Sequence, residues 1–200
     1  MTSSSPPGLA RFNGADDAVA SAALRAVCAS RAWGAAVLAR RPYASADDLF
    51  AAADAALAAL ADADLAEAMA GHPPIGRPPP GDLAAAHEQR GMAGAPEALR
   101  AEMLALNLAY QERFGHVFLI CAAGVAADGL LAAIRERIGN TPERERAVAR
   151  AELGKINRLR LAKLLADGVL AAVNPAPGAP SRASGTTAGT DEGNEGAAAG

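Results

Sequence analysis

His72 is the residue around which chemistry is most readily built. It stands between Gly71 and the pair Pro73-Pro74. A residue preceding proline is confined to extended backbone, so the imidazole projects from a stiffened corner of the chain. A side chain that titrates near neutrality suits general acid–base work in such a place. The plainer role for the same residue is to cap the last carbonyls of the helix before it. Just beyond the proline loop comes a dense polar cluster, His87-Glu88-Gln89-Arg90, which by itself reads as a solvated helical turn. His72, His87 and a carboxylate are metal-ligating types. Their spacing has no HExxH or related form, so no metal is expected.

Arg160 carries a different signal. Stepping 100° per residue places Leu153, Ile156, Arg160 and Leu164 in one sector about 80° wide, with Arg158 on the other side. A guanidinium that interrupts an apolar stripe needs an anionic partner. An internal acid and a substrate carboxylate held bidentately are both open on the sequence. Nucleotide-binding glycine patterns (GxGxxG, GxxxxGK[ST]) and the GxSxG elbow do not occur, so nucleotide binding and serine hydrolysis lose their usual support.

The elements that must position these residues are helices. About a quarter of the chain is alanine, the best helix former, and aromatic residues make up only 4%. The expected fold class is therefore all-α, a compact single-domain helical bundle. Caps and breakers predict helices at 15–29, 31–40, 46–60 and 62–70, the third opened by Ser45 with Asp48 three residues on. The run PPIGRPPPG at 73–81 must be a loop, because proline lacks the amide donor and restricts its predecessor.

Helicity resumes near Asp82 and again after Pro96, where Met103, Leu106, Tyr110 and Phe114 mark one buried face ended by Gly115. The apolar run at 116–124 reads as buried extended chain. Leu130, Leu131, Ile134 and Ile138 define another amphipathic helix. Thr141-Pro142-Glu143 then opens a last long helix to about 166. The expected organisation is a flexible start at 1–11, a helical domain at 12–168, and an unstructured Ala/Gly/Pro/Ser-rich tail at 174–200.

Composition narrows the partners. Two hundred residues with 51% hydrophobic content can bury a core, and a formal charge of −3 offers no nucleic-acid footprint. No stretch has the length and apolarity of a membrane span, and the first residues lack the apolar core of a signal peptide. Cys28 and Cys121 lie far apart without companion spacing, which suggests a reducing compartment. A cytoplasmic protein acting on a small molecule is the expectation.

The same residues fall into a longer pattern. The chain resembles the 2-oxo-4-hydroxy-4-carboxy-5-ureidoimidazoline decarboxylases of urate breakdown. The likeness runs from Phe12-Asn13 through Trp33 and Arg41-Pro42-Tyr43 (usually Arg-Pro-Phe) to His72-Pro73-Pro74-Ile75-Gly76 and Glu88-Gln89. It continues with Leu106-Asn107-x-x-Tyr110-x-x-Arg113-Phe114-Gly115, Phe118-Leu119-Ile120-Cys121-Ala122 and Ile156-x-x-Leu159-Arg160-Leu161.

What the resemblance implies is a helical bundle acting as a homodimer without a cofactor, decarboxylating that substrate to (S)-allantoin. It implies His72 as the acid–base residue and Glu88 beside it. It further implies substrate contacts from Pro73, Gln89, the backbone of Leu119, Ile120, Cys121 and Ala122, and Arg160. The family usually carries serine three residues before the glutamate, and here that place is Ala85. Coupling to urate oxidase and hydroxyisourate hydrolase would follow from the pathway. A related heterocyclic acid as substrate, or a non-catalytic helical interaction protein, are the alternative readings.

Overall fold

A computed structural model describes residues 7–167. The tail read at 174–200 lies outside the described residues. In chain order the helices are α1 (Pro7–Gly14), α2 (Asp17–Val27), α3 (Arg31–Leu38), α4 (Ala46–Ala58) and α5 (Asp62–Ala70). They continue with α6 (Leu83–Glu88), a 3-10 turn (Arg90–Met92), α7 (Glu97–Phe114), α8 (Ala127–Arg137) and α9 (Pro142–Asp167). The all-α expectation holds among these residues.

The caps show why the elements begin where they do. The Ser30 hydroxyl accepts the Trp33 amide at 3.2 Å, and the Ser45 hydroxyl accepts the Asp48 amide at 3.1 Å while donating to the Asp48 carboxylate at 2.8 Å. Asp82 caps α6 by accepting the Ala85 amide at 2.9 Å. Each satisfies a donor that the first helical turn leaves free. Gly115 closes α7 in the left-handed region, at φ 76°.

One helix was not expected. Residues 1–11 read as a flexible start, yet α1 forms from Pro7 and buries Leu9 and Phe12 against α9. The reason is close approach: a Cβ on Gly8 would sit 1.8 Å from the Leu165 carbonyl oxygen, so only glycine lets the two backbones meet. A partner more than 150 residues away in sequence leaves no local signal.

The helix α9 is the axis of the molecule, with α1, α2 and α4 packed on it and α3 packed between α2 and α4. Their buried faces form one core around Leu9, Phe12, Leu24, Trp33, Leu49, Leu65, Leu153 and Leu161. A second core, around Ile75, Met92, Met103, Tyr110, Phe118, Leu130 and Ile134, is built by α7, α8 and the loops beside them. The motif residues of the N-terminal half serve this framework. Asn13 and Tyr43 exchange hydrogen bonds at 2.8 and 2.9 Å, Arg41 donates to the Phe12 and Ala15 carbonyls, and the Trp33 indole donates to the Ala53 carbonyl.

Candidate active site

The loop predicted at 73–81 is non-helical, and His72 stands at its root as the sequence implied. The side chain is 8% exposed. Among the described residues its ring has no hydrogen-bond partner. Burial, together with the Arg160 cation, lowers its pKa from 6.5 to about 4, against a smaller opposing pull from Glu88. The imidazole is therefore neutral at neutral pH.

Glu88 comes to the same place from the last residue of α6, and Arg160 from α9. They are joined as a fork: Arg160 Nε and Nη2 donate to the two Glu88 oxygens, both at 2.7 Å, while Nη1 donates to the Val27 carbonyl at 3.2 Å. The internal acid that the sequence left open for Arg160 is therefore Glu88. Arg158 points away, as predicted, and pairs with Asp54 on α4.

A recess of about 430 Å³ including its mouth opens beside His72 and Glu88. Its wall combines Pro73, Ile75 and Gln89 with the chain from Phe118 to Ala123, and with Ile156 and Leu159 of α9. It lies on the seam between the two cores, since Leu119 and Ile156 belong to the first and Ile75, Phe118 and Ala122 to the second. Pro73, Leu119, Ile120, Cys121 and Ala122, which the resemblance implies as substrate contacts, all line this recess. Burial pushes the Cys121 thiol up, so it meets the recess as a neutral thiol. Arg160 faces a second hollow instead, lined also by Val27, Gly71, His87 and Lys163, with Pro73, Glu88 and Leu159 shared between the two.

Of the two other expected site residues on α6 and its end, Gln89 lines the recess and Ala85 does not. Gln89 reaches the recess wall, but its amide is occupied by the histidine loop: Oε1 accepts the Gly76 amide at 2.8 Å, and Nε2 donates to the Pro73 and Pro74 carbonyls at 3.4 and 3.3 Å. Ala85 is buried one turn before Glu88 and is not among the lining residues. His87 is exposed, within hydrogen-bond distance of Arg90.

Sequence reading missed several supports. Asn107 is buried on α7 and donates to the Ile75 carbonyl at 3.1 Å, bracing the histidine loop from a second side. Arg137 donates to the Leu119 carbonyl at 2.8 Å, lies over the Phe118 ring and pairs with Glu145, which is fully buried. Burial alone would raise the Glu145 carboxyl. Hydrogen bonds from Arg137, Tyr110 and Asn140 outweigh it and hold the group below the usual range. Arg137 follows the stripe Leu130, Leu131, Ile134 at helical spacing, the same signal that exposed Arg160.

Among the described residues, no three His, Cys, Asp or Glu side chains are grouped to hold a metal ion. No helix among them is long and apolar enough to cross a membrane. The model of one protein family, OHCU decarboxylase, matches residues 13–162. The chain belongs to that family. A relative in the OHCU decarboxylase family from Amia calva, 2-oxo-4-hydroxy-4-carboxy-5-ureidoimidazoline decarboxylase, is 43% identical over 65 residues, 32% of this chain and 37% of its own length. The uric acid degradation bifunctional protein TTL of Arabidopsis thaliana is 33% identical over 111 residues, 52% of this chain and 34% of its own. The chain thus spans about a third of the length of these curated relatives.

A crystal structure of OHCU decarboxylase in the presence of (S)-allantoin superposes with a TM-score of 0.65 at 26% identity, over 76% of this chain and all of that one. A structure of (S)-allantoin synthase shares the fold at a TM-score of 0.61 and 21% identity, over 78% of this chain and 53% of that one.

Proposed function

We propose that this protein catalyses cofactor-independent decarboxylation of 2-oxo-4-hydroxy-4-carboxy-5-ureidoimidazoline to (S)-allantoin. The observation that carries the reading is the convergence of His72, Glu88 and the 118–123 backbone on one recess in a chain of the OHCU decarboxylase family. A carboxylate is consumed and neutral CO2 leaves, so one proton is taken up overall. When the carbon–carboxylate bond breaks, its electron pair passes into the substrate's own conjugated carbonyl system. No separate electron sink is needed, and the remaining task is to stabilise that anion and protonate it on one face.

His72 is suited to this because it waits neutral. A substrate carboxylate bound beside it favours the imidazolium, so the anion brings in the proton that its reaction consumes. His72 then delivers that proton to carbon and returns to the neutral form. The Glu88 carboxylate can only accept hydrogen bonds, which suits the N–H groups of a ureido arm. Arg160 fixes that carboxylate with its fork.

The test uses substrate generated in place from urate by urate oxidase and hydroxyisourate hydrolase, and follows (S)-allantoin by circular dichroism. Wild type should exceed the spontaneous rate, and His72→Ala should lose at least about 100-fold. A wild-type rate equal to background overturns the proposal. We further propose a homodimer working in the cytoplasm, for which the free Cys28 and Cys121 suit a reducing compartment. The bifunctional relative supports coupling to a neighbouring urate-pathway enzyme.

A further inference from the structure

The recess wall from Phe118 to Ala123 is neither helix nor strand, so its peptide groups have no ladder to orient them. They are held instead from outside. The Leu119 carbonyl accepts from Arg137 on α8 at 2.8 Å, and the Cys121 amide donates to Glu152 Oε2 on α9 at 2.9 Å. A trans peptide group is planar with its C=O and N–H pointing opposite ways. Pinning the Leu119 carbonyl therefore turns the Ile120 amide away from Arg137, and pinning the Cys121 amide constrains the peptide groups on either side of that residue. The amides of Ile120 and Ala122 have no hydrogen-bond partner among the described residues, and both residues line the recess. An orphaned backbone donor in a concave wall is a site for an acceptor on a ligand.

We propose that Glu152 is a positioning residue: by accepting the Cys121 amide it aims the Ile120 and Ala122 amides into the recess as donors to a carbonyl or anionic oxygen of the ligand. Glu152 does not line the recess and acts only through the backbone. Its other oxygen meets Lys155 at 2.5 Å, one turn along α9, and its side chain is 14% exposed. It can therefore be changed without opening either core, unlike Arg137, whose partner Glu145 is fully buried. The inference rests on the recess being the substrate site.

The experiment compares wild type, Glu152→Ala and Glu152→Gln in the full chain. In the coupled assay Glu152→Ala should raise KM about tenfold, the loss of roughly one oriented hydrogen bond. Glu152→Gln should recover most of this because its amide oxygen still accepts. A role in stability alone would lower the melting temperature of both variants without that split.

Independently of turnover, (S)-allantoin is titrated into 15N-labelled protein. The Ile120 and Ala122 amides should shift on binding in wild type and Glu152→Gln, and far less in Glu152→Ala. Equal shifts in Glu152→Ala, or none at these amides in wild type, overturn the assignment. Absence of turnover in wild type with these shifts present sinks the decarboxylase reading and leaves Glu152's role standing.

Discussion

His72 has the strongest local signature in the chain, and the structure adds what the signature lacks. Its proline-braced backbone was legible, but its neutrality was not, because that comes from burial and from a cation 88 positions further along. A histidine whose folded pKa lies below its unfolded value resists protonation in the folded state. As pH falls from 6.5 toward 4 the unfolded chain therefore binds more protons, and stability drops. Denaturant unfolding should show a loss of about 2 kcal/mol between pH 7 and pH 5 that His72→Asn removes. An identical slope in the variant would show that other groups carry it. Arg160 illustrates the complementary case: its place on an apolar stripe announced an anionic partner, and only the fold showed that Glu88 supplies one.

At the scale of elements, the caps and breakers placed α2 to α5 and the long last helix within a few residues of their observed bounds. Local chemistry writes those ends. The 3-10 turn after α6 is different, since it is fixed by contact with the loop that follows the recess wall. A Cβ on Gly91 would sit 1.9 Å from the Val125 carbonyl oxygen. Gly91→Ala should cost about 2 kcal/mol by overpacking and disturb the adjoining Glu88-Gln89 end of α6. Gly14→Ala, where nothing lies within 4 Å of the added carbon, should stay within about 0.5 kcal/mol. Chemical denaturation of the two variants measures the contrast.

In the molecule as a whole, the recess is bounded by both cores, so a ligand filling it ties them together. Allantoin at 100 times its dissociation constant should stabilise the folded protein by about 2.7 kcal/mol and raise the melting temperature by roughly 5–10 °C. A single calorimetric transition should move as one. Two transitions, with only one shifted by the ligand, would contradict a site shared between the cores.

Residue order alone determined the helical class, most helix ends and the proline loop, and it singled out His72 and Arg160 as candidates. These are written in propensity, capping and periodicity, all of which act within a few positions. The tertiary structure decided the rest: that α1 docks on α9 through Gly8, and that Arg160 clasps Glu88. It also turned Gln89 inward to brace the histidine loop, and set Arg137 and Glu152 to hold the recess wall from behind. Each of those depends on a partner supplied by a distant part of the chain. A hydrogen bond across such a distance is selected by packing, which no local pattern encodes.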